Sequence, residues 1–259
     1  MAERAPALRA EALRRSFGGV VALDLDELEV EAGSALGVIG PNGAGKTSLL
    51  DVVSGFVPAE AGRWWVGGRE VTGRRPERIA RTGLVRTFQR ARPFGRLTVL
   101  ENVLAAAAGR APERPWGAVA GRRSARRRAA AMDAARDQLA WCGLAAVADR
   151  PAGELSVGQQ KLLDLARALV ADPQVLLLDE PMAGVAPATR DEVAERLASV
   201  RDRGVALLVV EHDLRLVRVL CSRAICLDRG RAIAHGPPEA VLRADAVVDA
   251  YLGVRSDVS

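Results

Sequence analysis

Eight consecutive residues carry the strongest chemical signal in the chain: Gly40, Pro41, Asn42, Gly43, Ala44, Gly45, Lys46 and Thr47 fit the pattern GxxxxGK[ST]. Glycines without a Cβ let successive backbone N–H groups curl around phosphate oxygens. A helix that starts where the loop ends turns its positive pole towards the same oxygens. Lys46 has the reach for the β- and γ-phosphates of a nucleoside triphosphate; the Thr47 hydroxyl suits Mg²⁺, and Ser48 follows it in the first helical turn. Lys46 and Lys161 are the only lysines among 37 basic residues, so an arginine-rich chain has kept a compact ammonium here.

A second group is Val175–Leu178 followed by Asp179 and Glu180. An apolar strand ending in two acids delivers carboxylates to the C-terminal edge of a parallel sheet, where phosphoryl-transfer ligands sit. Asp179 would hold Mg²⁺ through water. Glu180 would polarise the attacking water as general base, a role worth about 10²–10⁴ in rate. A third group is Leu155-Ser156-Val157-Gly158-Gln159-Gln160 ahead of a helical run. Ser156 can cap that helix, and its hydroxyl with the Gly158 amide makes a second anion site.

The elements that must position these groups are legible from periodicity. Ala35–Ile39 reads as a buried strand leading through the glycine-rich turn into a helix at Lys46–Val53. Val175–Leu178 is a strand before a helix with Val193, Leu197 and Val200 on one face, and Val205–Val210 is a strand after the helix stop Gly204. Strand–helix–strand alternation predicts a parallel sheet in an α/β core. Leu8–Arg15 and Leu25–Glu31 alternate with period two, which predicts antiparallel strands beside that core. Thr98–Leu169 offers no strand but three helical runs, Val99–Ala108, Ser124–Trp141 and Val157–Val170, so a helical subdomain is expected to interrupt the core.

Composition excludes several classes. Hydrophobic residues make up 49% and charged residues 27%, which argues against disorder. No apolar run approaches the roughly 18–20 residues needed to span a bilayer, and Met1–Ala10 lacks the apolar stretch of a secretory signal; a cytosolic protein is expected. Cys142, Cys221 and Cys226 form no CxxC pair, so buried thiols rather than a metal site or disulfide are expected. The net charge of +5 resides in one run, Gly109–Arg128, with seven arginines against Glu113. A basic face spread over the fold, as a nucleic-acid binder needs, is not indicated. The run is either a solvated insertion or an attraction to anionic lipid.

The third group resembles the LSGGQ signature of ABC transporter ATPases, with Val157 in its tolerant position, and other pieces follow in the expected order. Thr87-Phe88-Gln89 resembles the Q-loop, whose glutamine contacts Mg²⁺ and takes part in catalysis. Val210-Glu211-His212-Asp213 resembles the switch histidine segment, which touches the γ-phosphate. Phe17, before Gly18-Gly19, looks like the aromatic residue that stacks on adenine, although a core phenylalanine fits it equally well. The likeness covers Leu8 to Gly253. It is greatest to the LivG-type subunits of branched-chain amino-acid importers, carried by Arg14–Leu23, Arg86–Val103, the arginine-rich insertion, Ser156–Ala168 and the ending Ala250-Tyr251-Leu252-Gly253.

This resemblance implies a P-loop NTPase α/β fold with an antiparallel β subdomain and an inserted α-helical subdomain: core at 8–97 and 171–253, helical signature subdomain at 98–170. It implies ATP and Mg²⁺ as cofactors, with Phe17, the 40–48 loop, Ser156, Gly158 and Gln159 on the nucleotide, Thr47, Gln89 and Asp179 on the metal, and Glu180, His212 and Gln89 in catalysis. It also implies integral-membrane permease subunits, a second ATPase subunit (a paralogue or a second copy), a substrate-binding protein acting indirectly, and no nucleic acid. The place implied is the cytoplasmic face of the membrane. Phe88, Pro93 and Phe94 would receive a permease helix. An exporter-type ATPase, a non-transport ATPase, a regulatory module, or an importer of amides, urea or other amino acids are the competing readings. One departure stands out: Ala186 occupies a position where the family carries Asp or Asn.

Overall fold

The computed structural model describes residues 5–87, 93–108 and 122–252. In chain order the first elements are β1 (Leu8–Phe17), β2 (Val20–Val30), β3 (Ala35–Ile39), α1 (Lys46–Val53), β4 (Ala61–Val66), β5 (Arg69–Glu70), α2 (Pro76–Ala80) and β6 (Leu84–Arg86). Three helices follow, α3 (Val99–Ala108), α4 (Arg122–Trp141) and α5 (Val157–Leu169), and then β7 (Val175–Asp179) and α6 (Pro187–Asp202). The chain finishes with β8 (Ala206–Val210), α7 (Leu214–Leu220), β9 (Arg223–Asp228), β10 (Arg231–Gly236), α8 (Pro238–Arg243) and α9 (Asp245–Leu252). None of the described helices is long and apolar enough to cross a membrane.

The chain forms two compact units. The first contains Met1–Gln89, Gln174–Ala183 and Ala194–Ser259. Its larger sheet has the order β10-β9-β3-β8-β7-β6; all neighbours are parallel except β10, which runs antiparallel to β9. Every residue of β3, β7 and β8 is buried, as the uninterrupted apolar runs of these strands require of a sheet covered on both faces. The smaller sheet, β2-β1-β4-β5, is antiparallel and alternates buried with exposed positions, matching the period-two pattern of its sequence. Leu8, Leu13, Leu49, Leu177 and Leu208 join both sheets and α1 in one core, and Trp64 donates its indole N–H to the Val53 carbonyl at 3.1 Å.

Parallel register fixes the geometry that matters. Val38 of β3 pairs with Val210 of β8, and Val210 pairs with Asp179 of β7, so the chain leaves three adjacent strands at one edge of the sheet. The loops at that edge hold residues 40–46, 180–183 and 211–213.

The second unit contains Arg90–Pro173 and Gly184–Val193. Val99 and Val103 of α3, Leu139 of α4, and Leu162, Leu163 and Ala166 of α5 are buried, the i, i+4 spacing giving each helix one apolar face. Asn102 is fully buried. Its side chain accepts the Phe94 N–H at 2.8 Å and donates to the carbonyls of Phe94 and Thr98 at 3.1 and 2.9 Å, which shapes the turn before α3. Thr98 and Glu101 form a reciprocal cap: Thr98 N–H donates to Glu101 Oε2 and Glu101 N–H to Thr98 Oγ1. The helix thus begins at Val99, directly after the Thr98 cap, where the sequence places it.

Candidate nucleotide-hydrolysis site

The 40–47 segment folds as a tight loop between β3 and α1, and its glycines are required by geometry. Gly40 has φ 143° and Gly45 has φ 105°; a Cβ on Gly40 would lie 2.2 Å from the Leu227 carbonyl oxygen, and one on Gly45 2.4 Å from that of Ala22. Ala44 is buried, and its carbonyl accepts the Gly230 N–H at 2.9 Å, while Asn42, Gly43 and Thr47 face outward. Lys46 is buried at the first position of α1, and its ammonium donates to the carbonyls of Gly40 at 2.7 Å and Pro41 at 2.8 Å. Burial pushes its pKa below the ordinary lysine value, against the opposing pull of Glu180, Cys226 and Asp179. No acid occupies the first turn of α1, so the positive end of the helix is kept for an anion.

Beside the loop, β7 ends at Asp179. Its carboxylate accepts a hydrogen bond from Arg86 Nη2 at 3.1 Å, and Arg86 Nη1 bridges on to Asp51 of α1. Glu180 follows with φ 47°, a left-handed conformation that costs a non-glycine residue about 1 kcal/mol. Its N–H donates to the Val210 carbonyl at 2.9 Å. His212 Nε2 lies 3.0 Å from Glu180 Oε1, with the histidine more exposed than the acid. Lys46, Asp179, Glu180 and His212 therefore stand on three neighbouring loops of one sheet edge.

Phe17 ends β1 and is 46% exposed, with the Arg15 guanidinium 4.6 Å above its ring centroid, so it is a surface aromatic and not a core residue. In the second unit Ser156 caps α5 as the sequence leads one to expect. The Ser156 hydroxyl accepts the Gln159 N–H at 3.2 Å, and the Gln159 side chain accepts the Ser156 N–H at 3.0 Å, a complete capping box. Gly158 packs against Thr189, whose Cγ2 would be 3.0 Å from an added Cβ. Ala186 is exposed. Gln89 and Phe88, and Gly109–Gly121 of the arginine-rich run, lie outside the described residues.

A family model described as ABC transporter matches residues 23–183, more than half of the chain. The chain belongs to the ABC transporter family. Its ATPase reading rests on relatives that match almost end to end. The chain is 39% identical over 96% of its length, and 96% of the relative's, to the probable branched-chain amino acid transport ATP-binding protein LivG of Archaeoglobus fulgidus. It is 36% identical to the high-affinity branched-chain amino acid transport ATP-binding protein BraF of Pseudomonas aeruginosa, over 96% of this chain and 98% of that one. It is 35% identical to LivG of Escherichia coli K12 over the same shares. Among solved structures, a nucleotide-free ATP-binding cassette from an ABC transporter superposes with TM-score 0.82 at 32% identity, covering 95% of this chain and 98% of that one. The ADP conformation of an ABC transporter cassette gives the same score and identity over 96% and 99%. The fold is thus that of an ABC ATPase, a P-loop α/β core with a β sheet beside it and helices inserted, as the sequence implied.

Three residues with structural weight in this ABC ATPase site carry no role in the sequence reading: Arg86, Glu211 and Tyr251. Arg86 joins Asp179 to Asp51. Glu211 is 3% exposed and accepts three backbone N–H groups. Tyr251 of α9 accepts the Gly40 N–H through its hydroxyl at 3.0 Å, and burial raises its pKa above the usual phenol value. Glu211 leaves a local signal, an acid ending an apolar strand beside the histidine. The other two are tied to the site by contacts 35 and 211 residues apart, which no local pattern announces.

Proposed function

We propose that the chain is the ATP-hydrolysing subunit of an importer for branched-chain amino acids, working at the cytoplasmic face of a membrane beneath permease subunits fed by a substrate-binding protein. The observation that carries this reading is the meeting of Lys46, Asp179, Glu180 and His212 on one sheet edge, in a chain whose near-full-length relatives are named for branched-chain amino acid transport.

Lys46 and the backbone N–H groups of the exposed residues Asn42, Gly43 and Thr47 bind the phosphates of ATP, and Phe17 offers its exposed ring to adenine. Glu180 accepts the proton of the attacking water, and His212 holds that carboxylate in place through its Nε2. The donors suit Mg²⁺: Thr47 and Asp179 supply hard oxygens, and the described residues contain no cluster of three or more His, Cys, Asp or Glu that would cage a metal by itself. Such a partial set fits an ion that keeps waters and takes substrate phosphates as ligands. When bound, Mg²⁺ neutralises charge that builds on those phosphates. Gln89 contributes a further oxygen in this reading. Residues 8–97 and 171–253 form the nucleotide core, and 98–170 the helical subdomain whose Ser156, Gly158 and Gln159 cover ATP bound to a second ATPase subunit.

Uptake of labelled leucine, isoleucine and valine in cells lacking the chain, rescued by wild type or Lys46→Ala, tests the whole reading. Loss on deletion and rescue by wild type alone is the expected result. Full uptake in the deleted cells would remove the cargo and leave the ATPase chemistry to be tested on the isolated chain.

A further inference from the structure

We infer that Glu211 is a positioning residue for ATP hydrolysis, a carboxylate clasp that fixes the two turns carrying Glu180 and His212 so that their side chains meet. The inference rests on the reading of Glu180 as general base and goes beyond it by naming the group that sets its geometry.

Two turns leave the sheet edge side by side. The turn after β7 begins at Glu180, whose carbonyl accepts the Ala183 N–H at 3.0 Å. The turn after β8 runs from Glu211 through His212 to Asp213, which caps α7 by accepting the Arg215 N–H at 3.0 Å. Glu211 Oε1 accepts the Met182 N–H at 2.7 Å, two residues past the base. Glu211 Oε2 accepts the N–H groups of His212 at 2.8 Å and Asp213 at 3.0 Å. One carboxylate thus satisfies three backbone donors on both turns. At 3% exposure it does so with little competition from water, where charge-assisted hydrogen bonds are strongest.

The chemistry of the side chain matters as well as its size. All three partners are donors, so the site needs two acceptor oxygens. Glutamine presents one oxygen and turns an NH₂ group towards another donor. The left-handed backbone at Glu180 is held only while its surroundings over-determine it. The Met182 amide bond, two residues on, is one of those restraints. Releasing it loosens the Glu180–His212 contact of 3.0 Å while leaving the phosphate loop, on a different strand connection, untouched.

The test compares Glu211→Gln, Glu180→Gln, His212→Ala and the double variant Glu211→Gln/His212→Ala in the full-length chain. Turnover and affinity for a fluorescent ATP analogue are measured for each. Glu211→Gln is expected to lower kcat by about ten- to a hundredfold, the scale of one or two charge-assisted hydrogen bonds, with nucleotide affinity held within about twofold. In the His212→Ala background the same change should cost less than about threefold, because its effect passes through the pair already broken. An equal loss of kcat in both backgrounds, or a fall in affinity matching the fall in turnover, overturns the inference. Should Glu211→Gln fail to fold, Glu211→Asp keeps the charge but withdraws both oxygens by one methylene; the same split at smaller size supports the clasp, and wild-type turnover overturns it. If Glu180→Gln stops hydrolysis and Glu211→Gln does not slow it, the clasp alone falls. If Glu180→Gln hydrolyses normally, the base assignment falls and takes the clasp with it.

Discussion

At Asp179 the residue scale sets an unusual demand, because a carboxylate proposed to serve a metal is already held by a guanidinium. Arg86, with its side chain 5% exposed, spans Asp179 of β7 and Asp51 of α1. A bridge of this kind gives little net stability, yet removing its cation takes the nearest counter-charge from Asp179, whose side chain is 10% exposed, and from the part-exposed Asp51, a loss of up to about 3–5 kcal/mol. Arg86→Met is therefore expected to lower the melting temperature by about 6–20 °C for a domain of this size. Thermal unfolding followed by circular dichroism checks it, with Arg9→Met as the surface control, since Arg9 pairs with Glu11 and Glu29 only in solvent. A shift no larger than the control's would show that water reaches the bridge. Cys221 and Cys226 allow another check at this scale. Burial pushes their thiols to about 12 and about 11, so at pH 8 neither is a thiolate, and alkylation by iodoacetamide should be slow until the chain is denatured. Rapid labelling mapped to Cys226 in the native chain would mean that β9 opens readily, and labelling mapped to Cys221 that the end of α7 does.

At the scale of elements, α9 reaches back over the molecule to touch the phosphate loop through one hydroxyl. Tyr251→Phe removes only the acceptor for the Gly40 N–H and keeps the ring. The expected outcome is a two- to tenfold rise in the dissociation constant for ATP, about 0.5–1.5 kcal/mol, with the fold unchanged. Titration with a fluorescent nucleotide measures it, and an unchanged constant would make the contact incidental. This contact also shows where sequence reading stops. Ala35–Ile39, Lys46–Val53 and Val99–Ala108 were legible to the residue because each combines local periodicity with a start or stop signal. Ser156 was legible as a cap because the capping box is itself a local pattern. The pairing of β9 beside β3, the Arg86 bridge and the Tyr251 contact are products of tertiary register, and their partners lie tens to hundreds of residues away. Glu211 ends an apolar strand beside the histidine, but an acid there can as easily be solvated as clasped, and its three backbone partners come from the folded turns.

For the whole molecule, the decisive property is whether ATP joins two chains. The N-terminus of α5 is the part of the chain that bears on it. Ser156 and Gln159 satisfy each other there, Val157 is 51% exposed, and no acid stands in the first turn, so the helix presents an uncompensated positive end. A γ-phosphate bound at Lys46 of another subunit is a suitable anion for it. Glu180→Gln, by slowing hydrolysis, is expected to make the chain run at twice its monomer mass in light scattering when ATP is present and at monomer mass in ADP. Ser156→Asp separates docking from folding. Aspartate caps helices as well as serine does and adds a charge that favours a helix start, so monomer stability should hold or rise. The same charge repels an incoming phosphate. In the Glu180→Gln background, Ser156→Asp should therefore abolish the ATP-dependent dimer without lowering the melting temperature. A dimer that survives Ser156→Asp would place the second anion contact elsewhere on the chain, and one that never forms with ATP would mean that closure needs a different partner ATPase, as the alanine at position 186 would then suggest.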